Sequence, residues 1–206
     1  MSKKAFCIPL LALLLAVPLG GCTGEGEDNA LALQLRADFM DRQGCAGTME
    51  VTADYGQRVY EYTVTFSGTE EEGLSLVITA PEEAAGITAT VAQGQTFLTF
   101  DGVQLETGPL NEDGLSPLDA LPAFLTAMES GYIAETNSEL LGETETLRLC
   151  FRDPARSPGE GLETILWFDK AEKTLLQGEL RSDGTTVIRC VFSDFIITRA
   201  AAEETT

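Results

Sequence analysis

Histidine is absent from the sequence, and this absence removes several classes of enzyme. Without it the chain can form neither a Ser-His-Asp nor a Cys-His nucleophile system, and it cannot build a His-ligated zinc or iron site. A glycine-rich phosphate loop is also missing. Carboxylate pairs are abundant, but no pair is set apart as a catalytic acid and base. We therefore predict no enzymatic activity, no cofactor and no metal site.

Basic residues are scarce. The chain has 13 Lys and Arg residues against 33 Asp and Glu residues, which gives a net charge of −20. Because nucleic-acid binding depends on clustered positive charge, we predict no nucleic-acid partner. The acidic residues are spread over turns and strand faces, which is typical of a solvated surface.

No hydrophobic run in the sequence is long enough to cross a bilayer as a helix. The longest charge-free apolar stretch, 5–19, falls short of the roughly 20 residues that a spanning helix needs. Lys3 and Lys4 precede this stretch, and small residues follow it. This is the layout of an export signal, so we predict that 1–21 is removed.

A cysteine stands directly after the small residues of this signal. Leu19-Gly20-Gly21-Cys22 resembles the lipobox of bacterial lipoproteins. The resemblance implies a lipid on Cys22, which would hold the protein on the outer side of the cell membrane, and two acyl chains are enough for stable anchoring. The alternative is an ordinary secretory signal followed by a chance cysteine.

Cysteine is otherwise sparse. Apart from Cys7 and Cys22, the chain has Cys45, Cys150 and Cys190. An exported domain can form a disulfide, and three thiols allow three single bridges, each of which leaves one thiol over. The alternative is that all three are small buried residues on strands. The sequence does not choose between these arrangements.

The segment after Cys22 predicts a short tether and then a single domain. Residues 22–29 are polar and carry glycine, as a tether would. Apolar residues at helical spacing then predict a helix from Ala30 to about Gln43, with Asn29 as its cap. No linker divides the rest, so we predict one domain over 30–198, followed by a flexible tail, 199–206.

Alternation of apolar and polar residues predicts a series of short strands with turn residues between them. The first two runs, around Val51 and Val64, form a predicted hairpin. The later predicted strands are 74–79, 87–92, 96–100, 103–106, 132–141, 143–152, 162–169, 174–181 and 186–197. A second helix interrupts this series: Ser116 is its predicted cap, Gly131 its predicted end, and Pro122 should kink or shorten it.

The order of these elements, together with several short motifs, resembles the LolA-like lipoprotein-carrier superfamily, including its germination-type lipoproteins. The likeness extends over most of 31–197. It is carried by Cys45-Ala46-Gly47-Thr48-Met49-Glu50-Val51, Phe97-Leu98-Thr99-Phe100-Asp101-Gly102, Ser116-Pro117-Leu118, Leu166-Trp167-Phe168-Asp169-Lys170 and Phe192-Ser193-Asp194-Phe195. The resemblance implies an α+β fold, in which a single curved antiparallel sheet of about eleven strands forms a half-barrel and helices cover its concave face.

The resemblance also implies a noncatalytic module of the cell envelope. The first interpretation is a membrane-anchored lipoprotein that binds lipid or acyl chains in an apolar concavity. The alternative is an adaptor or sensor that docks another envelope or germination protein without a small ligand. Because a lipid on Cys22 would tether the domain to one membrane, shuttling between membranes is disfavoured.

Aromatic and apolar residues on the predicted strands and second helix are the candidates for the concave lining. The alternative is that these side chains simply fill the core. Trp167 and its neighbour Phe168 should face opposite sides of their strand, so both sides there should be apolar. The candidate ligand-binding residues are Tyr60, Tyr62, Phe66, Phe97, Phe100, Phe124, Leu125 and Trp167.

Overall fold

The protein folds as one open antiparallel sheet with two helices. The computed structural model describes residues 24–69, 71–92, 95–106 and 115–199. The predicted signal, the lipid-attachment residue Cys22 and nearly all of the predicted tail lie outside these ranges. Eleven strands form the sheet, and its two edge strands do not pair with each other. The sheet is therefore a half-barrel, and the predicted fold class is confirmed.

Consecutive strands are neighbours in the sheet, apart from the sixth and seventh, whose connection contains the second helix. In chain order the strands are β1 Arg42–Asp54, β2 Val59–Thr69, β3 Gly73–Ala80, β4 Thr88–Ala92, β5 Gln95–Phe100, β6 Val103–Glu106, β7 Ile133–Leu141, β8 Thr144–Arg152, β9 Leu162–Asp169, β10 Leu175–Ser182 and β11 Thr185–Arg199. Across the sheet their order is β6-β5-β4-β3-β2-β1-β11-β10-β9-β8-β7, so β6 and β7 are its edges. One end of the sheet, here called the lower rim, contains the start of β1, the end of β11 and the turns β2–β3, β4–β5, β7–β8 and β9–β10.

Helix α1 spans Gly24–Met40 and begins earlier than predicted. The predicted tether is therefore wrong from Gly24 onward, and Asn29 lies inside the helix. The reason is a tertiary contact: Asp28 accepts hydrogen bonds from Ser138 at 2.7 Å and from Lys170 at 3.0 Å. Burial opposes ionisation of Asp28, but these donors outweigh it and lower the pKa of its carboxyl group.

Helix α2 spans Ala120–Ser130 and ends before Gly131, as predicted. Ser116 precedes the helix in a turn, where its hydroxyl accepts a hydrogen bond from the Asp119 amide at 3.3 Å. Pro122 lies in the first helical turn, where amide groups have no intrahelical partner. The proline is therefore tolerated there, and the regular helix begins at Ala120 rather than at Pro117, so it is shorter than the predicted one.

Arg36 joins the two helices. Its guanidinium donates to the carbonyl oxygens of Met128 at 3.0 Å and Gly131 at 2.5 Å. These carbonyls lie at the end of α2, where a positive charge is favourable. Arg36 therefore fixes the angle between the helices over the sheet.

The main core lies between the helices and the concave face of the sheet. Alternate residues of the strands point into it, including Val51, Val64 and Leu149. Phe39 of α1 meets the ring of Phe168 edge-on at 5.7 Å, and α2 contributes Phe124. Burial of such side chains accounts for most of the stabilisation of a fold of this kind.

The convex face carries a second, smaller cluster of Cys150, Ile165 and Trp167 within a network of charged side chains. Glu179, with only 2% of its surface exposed, is the best-buried member of that network. It accepts hydrogen bonds from Arg181 at 2.7 Å, Arg189 at 2.8 Å and Thr186 at 3.0 Å. Its buried charge is therefore fully paired.

The Glu179 network predicts acid sensitivity. Burial alone would raise the pKa of Glu179, but the two arginines outweigh burial and hold it below its ordinary value. Because the folded pKa lies below the unfolded one, the stabilisation is present above about pH 4.5 and is lost as the pH falls through the folded pKa. We expect Glu179→Gln to cost about 1–3 kcal/mol at neutral pH.

Urea unfolding at a series of pH values measures this effect. The native protein should lose stability below pH 4.5 more steeply than Glu179→Gln does, because the variant has no carboxylate to protonate at this position. Glu50→Gln, at an exposed position on the same face of the sheet, is the control and should follow the native curve. Parallel curves for the native protein and Glu179→Gln would show that the network does not cause the acid loss.

The cysteines of the domain are all free thiols. Cys45, Cys150 and Cys190 are buried on β1, β8 and β11, and none pairs with another. Cys150 faces the convex cluster, whereas Cys45 and Cys190 belong to the main core. In this structure the three residues thus have the arrangement of the alternative considered from the sequence, three small buried residues on strands.

Candidate functional site

The helices cover only part of the concave face. Helix α1 lies against β7 and β8, and α2 lies against β9, β10 and α1. On the far side of the sheet, the central residues of β3 and β4 are still buried in the core, whereas the lower ends of these strands and the inner side chains of β5 and β6 are partly or largely exposed. Among the described residues, these exposed positions are where a ligand could reach the concave face.

A cleft of about 560 Å³ opens where the lower ends of β1–β4 face the outer side of α2. Its volume is within the range of about 300–1,000 Å³ that is common for ligand pockets. Its apolar lining is Met40, Leu74, Val91, Pro122 and Leu125, and its polar lining includes Arg42, Gln43, Thr69, Thr126 and Glu129.

Glycines shape the side of this cleft that the sheet forms. A Cβ atom at Gly68 would lie 2.4 Å from the carbonyl oxygen of Gly73, and one at Gly73 would lie 2.5 Å from that of Val91. Any larger residue at these positions would push adjacent strands apart. Glycine therefore permits the close approach of β2, β3 and β4 beside the cleft.

An ion pair lies beside the cleft. Arg42, at the start of β1, pairs with Glu129 near the end of α2. The same guanidinium donates to the carbonyl oxygen of Phe39 at 2.8 Å, so it also holds the end of α1. The pair links three elements and places one positive and one negative group among the apolar lining residues.

An exposed apolar strip continues the concave face beyond the cleft. Leu98 of β5 packs on the main core and pairs with Leu105 of β6, and Phe100 pairs with Val103. By the alternation of strands, these four side chains share the concave face. Val103 is 70% exposed and Leu105 is 61% exposed, and neither helix packs extensively on β6. The cleft and this strip form the candidate site.

The predicted site residues lie in different parts of the fold. Phe66 and Phe124 are fully buried in the core, and Tyr62 packs against its edge. Tyr60 stacks on Tyr62 with 6.4 Å between ring centroids and is partly exposed. Among the predicted residues, Leu125 lines the cleft and Phe100 belongs to the apolar strip.

Two of the predicted lining residues are on the wrong face. Trp167 lies in the convex cluster, where its indole N–H donates to Glu139, while its neighbour Phe168 faces the core. Phe97 pairs with Thr90 and alternates with Leu98, so it also points away from the concave face. The expectation that both faces are apolar near Trp167 is confirmed, but the assignment of its face is wrong.

Sequence reasoning missed the residues that form most of the candidate site. Met40, Leu74, Val91, Val103 and Leu105 are aliphatic or sulfur-containing, whereas the prediction favoured aromatic residues. A usable signal was present, because Leu74, Val91 and Leu105 alternate in phase with core residues on short strands far from any predicted helix. Their exposure depends on where the helices end, which periodicity does not report.

The described part of the chain contains no helix that is both long enough and apolar enough to cross a membrane.

Comparisons with known proteins give matches at the level of structure. No protein-family model matches the sequence, and a search of curated proteins gives no match. An uncharacterized conserved protein from Thermus thermophilus superposes with a TM-score of 0.51 and 9% identity, over 84% of this chain and 89% of that one. This likeness shows a shared fold.

Two further solved structures are similar at lower scores. One is a putative outer membrane lipoprotein-sorting protein domain from Vibrio parahaemolyticus, with a TM-score of 0.48, 12% identity and coverage of 86% and 95%. The other is a LolA superfamily protein from Nitrosomonas europaea, with a TM-score of 0.41, 11% identity and coverage of 84% and 95%. In its fold, the chain is an open antiparallel half-barrel with two helices, and a LolA superfamily structure is among those it is similar to, in line with the sequence resemblance.

Proposed function

We propose that this protein is a membrane-anchored envelope lipoprotein that binds lipid or acyl chains on the uncovered part of its concave face. The observation that supports this proposal is the cleft beside α2, together with the apolar strip on the same face of the sheet. Exposed apolar surface of this kind is uncommon on an isolated acidic domain and marks an interaction site. The proposal includes a lipid attached to Cys22, which would hold the domain at the membrane, the source of the lipid that it binds.

The lining combines apolar and polar groups in similar proportion, as a ligand with a hydrocarbon chain and a polar headgroup requires. Leu74, Val91 and Leu125 offer no hydrogen bond, so they match the hydrocarbon of an acyl chain. Arg42 and Glu129 supply a single positive and a single negative group, which suits a polar headgroup beside the chain. In the described residues, no cluster of His, Cys, Asp and Glu could hold a metal ion, and the proposal needs none.

Filling the cleft tests the proposal. We expect Val91→Trp to remove most of the lipid that copurifies with the protein, because the indole would occupy the space between β4 and α2. Solvent extraction followed by mass spectrometry measures this loss, since lipid joined covalently to Cys22 stays with the protein. Thr90→Trp is the matched control, because Thr90 lies on the same strand but points to the other face.

The two variants distinguish lipid binding in the cleft from the absence of such binding. Loss of lipid in Val91→Trp but not in Thr90→Trp supports binding in the cleft, provided that both variants unfold at similar urea concentrations. Equal lipid content in the two variants, or no extractable lipid in the native protein, would contradict it.

Docking of another envelope protein is the second candidate function. It is favoured by the edge strand β6, where Val103 and Leu105 are exposed beside unpaired backbone groups. A protein partner could add a strand at such an edge. If this candidate is correct, Leu105→Lys should abolish in-cell crosslinking to the partner, whereas Val91→Trp in the cleft should leave the crosslinking unchanged.

A further inference from the structure

Helix α1 carries apolar residues on both of its faces. Its inner face packs Leu35 and Phe39 into the core. Its outer face presents a stripe of Ala30, Leu33, Ala37 and Met40, here called the outer stripe. Leu33 is 63% exposed and Met40 is 62% exposed. Glu27, Asn29 and Gln34 of the same helix are also exposed, so the outer stripe is a narrow apolar band beside polar residues, as on a helix that lies at an interface.

The chain between the anchor and this helix is very short. Only Thr23 separates Cys22 from Gly24, where α1 begins. Two extended residues span at most about 7 Å. A lipid on Cys22 would therefore bring the start of α1 to the membrane surface, without the tether that the sequence predicted.

The helix is also fixed to the rest of the domain at both ends. Near its start Asp28 is held by Ser138 and Lys170, and near its end Asp38 pairs with Arg199 at 2.9 Å. Because these partners lie on β7, after β9 and on β11, α1 crosses the lower rim as a rigid part of the body. The orientation of α1 on the membrane would thus set the orientation of the whole domain.

We infer that the outer stripe of α1 lies against the surface of the bilayer that holds the lipid on Cys22, and that the cleft opens at that surface. The inference rests on the anchor in the proposed function. A helix that lies in the membrane interface buries apolar residues there, and an acyl anchor nearby reduces the cost of association. Met40 belongs to both the outer stripe and the cleft, so an acyl chain could pass between bilayer and cleft with little exposure to water.

Depth-dependent quenching tests this orientation. Four variants, each with one introduced cysteine, are labelled with a fluorophore. Gln34→Cys and Ala37→Cys place it on the outside of α1. The controls Glu50→Cys and Gln57→Cys place it on the convex face and at the other end of the sheet. Burial raises the pKa of the native thiols Cys45, Cys150 and Cys190, so they react slowly. The lipidated full-length protein is placed in phosphatidylcholine vesicles that contain nitroxide-labelled lipid.

We expect the nitroxide-labelled lipid to quench most of the fluorescence of a label at the position of Gln34 or Ala37. A label at the position of Glu50 or Gln57 should not be quenched. Replacing the stripe by Leu33→Gln and Met40→Gln should restore emission at Ala37, whereas Val191→Gln on the convex face should not. Equal quenching on both faces, or no quenching at Ala37, would overturn the inference.

Two other measurements separate this inference from the proposed function. If the protein floats with the vesicles and contains extractable lipid but Ala37 is not quenched, the inference fails while the proposed function stands. If Ala37 is quenched but the native protein holds no extractable lipid, the orientation stands and lipid binding fails.

Discussion

Gly178→Ala should reduce the free energy of unfolding by about 1–3 kcal/mol, and Gly178→Val should reduce it further. Gly178 lies on β10, where a Cβ atom would stand 2.5 Å from Cε2 and 2.7 Å from Cζ of Phe124. Phe124 is completely buried in α2, so its ring has no free space into which it could move. A domain of this size has only about 5–15 kcal/mol of stability, and the valine variant therefore loses a large part of it.

Urea unfolding of four variants tests this contact: Gly178→Ala, Phe124→Leu, the double variant and Gly26→Ala. Gly178→Ala combined with Phe124→Leu should recover part of the loss, because the smaller side chain makes room for the added methyl group. Gly26→Ala is the control, since a Cβ atom there meets nothing within 4 Å and lies in a helix. Additive losses in the double variant, or no loss in Gly178→Ala, would show that Phe124 does not rest on β10.

This contact is one that the sequence could not reveal. Alternation predicted the existence of all eleven strands, and the bounds of β6 and β9 agree with the predicted ranges. Local patterns succeed here because each strand has one buried face and a turn at each end. The meeting of Gly178 with Phe124 depends instead on how α2 packs across the sheet, which no local pattern encodes.

The faces of the strands were harder to predict than the strands themselves. Alternation shows that Trp167 and Phe168 point to opposite sides, but it does not say which side is concave. Irregularities in pairing, such as the one between Leu175 and Gln177, also shift the phase along the chain. The errors at Trp167 and Phe97 arise from this limit.

The start of α1 was mispredicted for a related reason. Asn29 and the glycines before it favour a cap and a flexible tether when they are read locally. In the fold, the contacts of Asp28 with Ser138 and Lys170 extend the helix toward Cys22. The position of this end changes the functional interpretation: with a lipid on Cys22, a helix that begins at Gly24 would orient the domain, whereas a tether would leave it free.

Cys22→Ala should abolish acylation of the protein and block cleavage before residue 22. The resemblance of Leu19-Gly20-Gly21-Cys22 to a lipobox implies that the thiol carries the lipid and that the cut is made at the same residue. Mass spectrometry should therefore find a native N-terminus at Cys22 with added acyl mass, and a variant that retains 1–21 without it. Each buried methylene contributes about 0.8 kcal/mol to membrane attachment, so two acyl chains dominate over the outer stripe of α1.

Two other cysteines provide controls for this experiment. Cys7→Ala lies in the apolar part of the predicted signal and Cys45→Ala lies in the domain, so both should be acylated and cleaved normally. Cleavage of Cys22→Ala at the same position, or a native Cys22 without lipid, would mean that the signal is an ordinary secretory one. The outer stripe would then have no anchor to hold it at a bilayer, and the inferred orientation of the domain would fail as well.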